Sequence, residues 1–163
     1  QSPSAPNDGR HRIPDVAAGP LEHRHLGNRR PALGGMAMSP RVKIYFDGGC
    51  RPSPVGMEAA VVVKGRSFIQ RGLGIGTSLD AEWLALIRAA EIARELRLVN
   101  PLFLGDSLTV VGQANGTFKC TRASVRHFRV LEGLKTSFLT LNIRHVKRTQ
   151  NLAGIALARL HAR

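Results

Sequence analysis

The stretch that decides the fold is Val42-Lys43-Ile44-Tyr45-Phe46-Asp47-Gly48-Gly49-Cys50. Val42, Ile44 and Phe46 alternate with Lys43, Tyr45 and Asp47, the period-two pattern of a strand with one face in a core. The pattern stops at Gly48-Gly49, so the strand is expected to end on a carboxylate. Working outward, Met57–Val63 and Ser67–Leu73 read as two more strands joined through Lys64-Gly65, a hairpin turn. Three antiparallel strands therefore open the domain.

Residues 81–98 carry the strongest helical pattern, with Ser78 or Asp80 placed to cap it. Arg88, Glu91 and Glu95 fall on one stripe, and Ala85, Leu86, Ala89, Ala93 and Leu96 on another. Pro101–Leu104 is a short apolar strand that runs into Gly105-Asp106. Leu108–Ala114 is a short helix closed by Asn115-Gly116, Ala123–Thr136 a further helix, Thr140–Val146 a strand and Leu152–His161 a terminal helix. The order β-β-β-α-β-α-α-β-α predicts an α/β fold with a mixed five-stranded sheet, three antiparallel strands followed by two parallel additions. A helical crossover between the first and fourth strands makes their pairing parallel.

Upstream, residues 1–40 hold six of the nine prolines among Gly, Ser, Asn and Arg, with no helical or strand periodicity. They are expected to be a disordered leader, with the domain spanning residues 41–163. The chain starts at Gln1, and Met36 and Met38 stand just before the first strand, so the leader reads as an upstream extension. Its five arginines against three acids carry +2 of the formal +13, and the remaining +11 belongs to the domain. Such a surplus suits a partner made of phosphates, because each cation near a phosphate releases counterions. Without about 18 consecutive apolar residues or a long cationic amphipathic face, no membrane association is expected. Cys50 and Cys120 show no Cys-x-x-Cys spacing and read as reduced thiols of a cytoplasmic protein.

Three acids stand out. Glu82 lies in the middle of the long helix's apolar face, where an ionised carboxylate is strongly penalised unless a cation meets it. Asp47 and Asp106 follow two strands expected to be parallel neighbours, at the end of the sheet where ligands bind in open α/β folds. Each alone has an ordinary explanation: Asp before Gly or Ser often makes a turn, and an acid near a helix N-terminus is favoured by the dipole. Together they would repel, and a hard divalent ion such as Mg²⁺, with Mn²⁺ as a substitute, resolves the conflict. Such a centre can bind a phosphodiester and orient water.

These residues resemble the type 1 ribonucleases H over residues 42–160. Tyr45-Phe46-Asp47-Gly48-Gly49-Cys50 is similar to the family's first-strand motif, and Ala81-Glu82-Trp83-Leu84-Ala85-Leu86 to its acidic helix. Gly105-Asp106-Ser107 and Val110-Val111-Gly112-Gln113-Ala114-Asn115-Gly116 resemble its Asp-Ser strand end and following helix. Arg144-His145-Val146-Lys147-Arg148-Thr149-Gln150-Asn151 resembles its final strand and the start of its last helix.

The resemblance implies a metal-dependent endonuclease that cuts the RNA strand of RNA–DNA hybrids and leaves a 5′ phosphate. Asp47, Glu82 and Asp106 would be the catalytic and metal-binding acids, with Asp47 shared between ions. Gly48, Gly49, Cys50, Ser53, Ser78, Arg148 and Asn151 would contact substrate, with double-stranded RNA as a further partner and a monomer as the working form. Ile155 stands where the family has its fourth carboxylate, so one ion is expected to bind well and a second poorly. Asn151, Glu58 and His127 are candidate stand-ins. The alternative reading is a nucleic-acid-binding module that keeps fold and basic surface with cleavage weakened or lost.

Overall fold

The computed structural model describes residues 40–162; the expected leader lies outside the described residues except for Pro40. The strands are β1 (Val42–Arg51), β2 (Gly56–Val63), β3 (Arg66–Gln70), β4 (Pro101–Gly105) and β5 (Asn142–His145). The helices are α1 (Ser78–Glu95), α2 (Leu108–Ala114), α3 (Val125–Lys135) and α4 (Leu152–Leu160), the last preceded by a 3₁₀ turn at Arg148–Gln150. One sheet in the order β3-β2-β1-β4-β5 joins them, antiparallel among β1, β2 and β3 and parallel from β1 to β4 to β5. The expected fold class and element order are both present. Lys64 and Gly65 both adopt positive φ, 50° and 74°, as a two-residue hairpin matched to strand twist demands.

Alternation divides the sheet between two layers. Ile44, Phe46, Val61, Val63, Phe103 and Ile143 face α1, α2 and α3 and form the larger core with Trp83, Leu86 and Leu131. Ala60 and Val62 face the other way, against Ala153 and Leu157 of α4 and the side of Tyr45. Trp83 is completely buried. Its indole Nε1 donates to Gln113 Oε1 at 3.0 Å, tying α1 to α2, and its ring stacks with His127 of α3 at 6.2 Å.

Several boundaries differ from expectation. β1 does not stop at Gly48-Gly49, because its antiparallel ladder with β2 continues to Arg51↔Gly56. The parallel ladder with β4 ends earlier, at Tyr45↔Leu104. Asp47 therefore sits mid-strand in β1, yet just past the last residue pair of the parallel ladder. The cap of α1 is Thr77, not Ser78 or Asp80: Thr77 Oγ1 accepts from Asp80 N at 3.1 Å, and Asp80 Oδ2 accepts from Thr77 N at 3.1 Å. This reciprocal box satisfies two orphan donors at once, which Ser78 could not do from inside the helix. Phe118 is 51% exposed because it follows the Asn115-Gly116 turn that ends α2.

Candidate metal centre

Asp47, Glu82 and Asp106 come from three elements that meet at one end of the sheet. Asp47 leaves β1 beyond the parallel ladder, Asp106 follows the last residue of β4, and Glu82 lies in the second turn of α1. Close approach of α1 to β1 depends on Gly48: a Cβ there would lie 2.2 Å from the Ala81 carbonyl carbon. With no side chain in the way, Gly48 N donates to Glu82 Oε2 at 3.3 Å. One oxygen from each of the three carboxylates lies within 4.8 Å of the other two.

That proximity costs free energy in the absence of a cation. Burial pushes Glu82 up to about 9, and the charges of Asp47 and Asp106 push in the same direction. Burial, then the charge of Asp106, raises Asp47 to about 6, against opposing contributions that include the Arg148 guanidinium. Asp106 Oδ2 is buried and has no hydrogen-bond donor among the described residues. Arg148 Nε stands 3.6 Å from it, too far for a hydrogen bond, on a side chain that is 88% exposed. An orphaned oxygen within a crowded trio of oxygen ligands fits a hard divalent cation, whose charge would offset the repulsion and occupy the missing donor's place.

The acids line a cavity of about 500 Å³ with Gly48, Gly49, Cys50, Ser78 and Arg148. Five of the seven residues expected to contact substrate are thus brought to the centre. Ser53 is not: it lies in a neighbouring hollow with Pro54 and Gly74, because β1 runs on to Arg51 and carries the following loop away. Asn151 is not available either. It is completely buried, its Nδ2 donating to Phe46 O at 2.9 Å and its Oδ1 accepting from Ala153 N at 3.1 Å as the cap of α4. Both ends of its amide are used, and together they bind the last helix to β1.

The remaining stand-ins also have other work. Glu58 is completely buried and meets Arg51, Arg71 and His161 at 2.9, 3.1 and 2.6 Å. Although burial alone would raise it, the hydrogen bonds from Arg51, His161 and Arg71 hold it below its ordinary value. His127 Nε2 is 2.9 Å from Asp80 Oδ1. Ile155 lines the cavity from α4 beside Gly154, whose missing side chain would lie 3.4 Å from Asp47 Oδ2. The wall facing the acids at this point is therefore apolar. His145 is exposed because β5 is the sheet edge and ends there. The role of Gly154 as the space beside Asp47 was not visible in the sequence, since a helical glycine alone does not say what it faces.

A family model described as reverse transcriptase-like matches residues 59–161, a span that holds Glu82, Asp106 and Ile155. Ribonuclease HI of Halobacterium salinarum is 33% identical over 124 residues. The chain belongs to the type 1 ribonuclease H family. The alignment with that relative covers 72% of this chain and 62% of the relative, so the chain spans under two thirds of that protein's length. The crystal structure of RNase H1 from the same halophilic archaeon superposes with a TM-score of 0.66 at 29% identity, covering 76% of this chain and 100% of that one. LC11-RNase H1, solved in complex with an RNA/DNA hybrid, superposes with a TM-score of 0.61 at 27% identity over 72% of this chain and 93% of that one. The family's sheet order and flanking helices are those of this fold.

Proposed function

We propose that this chain is a divalent-cation-dependent endonuclease acting on the RNA strand of RNA–DNA hybrids. The observation that carries the reading is the trio Asp47, Glu82 and Asp106, held within 4.8 Å of one another with one oxygen lacking a donor among the described residues. Mg²⁺ or Mn²⁺ held by these three residues would supply Lewis-acid stabilisation of charge on a phosphodiester. The chain's own groups do the rest. Arg148, exposed and 3.6 Å from Asp106, would meet a phosphate. Gly48 and Gly49 expose backbone at the cavity, and Ser78, at the start of α1, offers a hydroxyl. The relative solved with an RNA/DNA hybrid supports that substrate class.

The test is nicking of a labelled hybrid with Mg²⁺ and, separately, Mn²⁺, alongside Asp47→Asn. Metal-dependent cleavage of the RNA strand that Asp47→Asn abolishes is the expected result. Absence of cleavage with both metals would refute the enzyme reading. A second reading rests on Ile155, which presents an apolar surface where the family has a carboxylate: a binding module with weakened cleavage. It predicts salt-sensitive hybrid binding that survives Asp47→Asn without turnover.

A further inference from the structure

On the face of the sheet that carries α4, the helix covers β1 and β2 with Ala153 and Leu157 and leaves the β4–β5 side open. Strand register arranges what is left in rows. Tyr45, Leu104 and Arg144 stand side by side across β1, β4 and β5, and Lys43 lies beside Leu102 in the next row of the same face. These side chains line a hollow of about 500 Å³, and a second hollow of about 320 Å³, which shares Lys43 and Tyr45, adds Arg41 and Lys64. None of the acidic residues lines either hollow. Arg41, Lys43, Lys64 and Arg144 are exposed, and none is within ion-pair distance of a carboxylate among the described residues.

We propose that this open half of the sheet is a second nucleic-acid surface, separate from the carboxylate cavity, that takes a single strand. The cations match a phosphodiester chain, and among the described residues no carboxylate lies close enough to neutralise them. The apolar floor selects the single strand. A duplex offers its backbone to a flat surface and keeps its bases stacked inside, so Tyr45 and the two leucines would gain nothing from it. An unpaired strand can lay a base on the tyrosine ring while its phosphates meet Lys43 and Arg144, which stand two strand spacings across and two residues along the sheet from one another, about 12 Å. The inference does not depend on catalysis at Asp47, Glu82 and Asp106.

The test is fluorescence anisotropy of the full chain with a labelled oligothymidylate in EDTA, repeated over a range of salt. Lys43→Glu combined with Arg144→Glu is expected to weaken binding about tenfold and to flatten the log–log salt slope by about 1.4, as removing two phosphate-neutralising cations from a single-strand site implies. Tyr45→Leu should weaken binding with the salt slope unchanged, the mark of a stacking contact. Arg94→Glu, an exposed cation on α1, is the charge-matched control and should change affinity less than about twofold. Lys64→Glu, in the exposed hairpin turn, gives the same reading should the double variant not fold. Binding that is unchanged in the strip variants, or reduced equally by Arg94→Glu, overturns the proposal. So does complete displacement of the strand by an RNA–DNA hybrid, which would place both in one track. Phosphatidylglycerol vesicles that bind tighter than the oligonucleotide, with the same dependence on Lys43 and Arg144, overturn it in favour of a membrane surface.

Discussion

Replacing Glu82 by Gln should stabilise the metal-free protein while weakening its response to divalent cations. In the unfolded chain this carboxyl ionises near 4.5, whereas in the fold burial and the charges of Asp47 and Asp106 hold its proton until about 9. A raised folded value means that the native state binds a proton the unfolded state has released. Glu82 therefore favours folding fully only below pH 4.5, and its contribution is lost progressively as pH rises toward 9. At neutral pH the penalty is about 3 kcal/mol. Gln does not titrate and keeps an oxygen to accept from Gly48 N, so the hydrogen bond at 3.3 Å survives. Because the charges of Asp47 and Asp106 act on one another as well, the expected gain is ~1–3 kcal/mol, a rise in Tm of several degrees. Urea unfolding in EDTA measures it, at neutral pH and again below pH 4.5, where the two proteins should converge. Millimolar Mg²⁺ should then stabilise the wild type more than the variant. A variant no more stable than wild type at neutral pH, or equal stabilisation of both by Mg²⁺, would refute the account of a strained carboxylate trio relieved by a cation.

Ile155→Asp should restore a carboxylate beside Asp47 and raise Mg²⁺ affinity roughly tenfold, measured by calorimetry, with faster hybrid cleavage; unchanged affinity would show that this wall does not reach the ion. Asn151→Ala removes the α4 cap and leaves the buried Phe46 carbonyl unpaired, a loss of about 3 kcal/mol by denaturant unfolding. Asn151→Asp keeps the cap acceptor and should lose only part of that. The hydrogen bond from His127, then that from Thr77 N, holds Asp80 well below its ordinary value, so its contribution to stability is present above pH 3.8 and lost as pH falls further. Asp80→Asn should lower stability at neutral pH by ~2 kcal/mol and flatten the acid limb of the pH–stability curve.

Much of the fold was legible in local pattern. The alternation of Val42, Ile44 and Phe46, the helical stripe around Ala85 and Leu86, and the glycines at the turns are signals confined to a few neighbouring residues, and they determined strand, helix and turn. They also marked Glu82 as anomalous, since an acid on an apolar face is visible without coordinates. Motif order added Asp47 and Asp106. What local pattern could not carry was which side chains the chain folds back upon. Asn151 looked like a ligand and is consumed by Phe46, 105 residues away in sequence. Ser53 kept motif spacing and left the cavity because β1 continues past its parallel neighbour. Glu58 found its partners on β1, beyond β3 and after α4. The sequence by itself determined the elements, their order and the three acids, because those depend on periodicity and residue chemistry. Only the tertiary structure decided which polar groups are already spent on one another, because hydrogen-bond partnership and burial are properties of long-range packing.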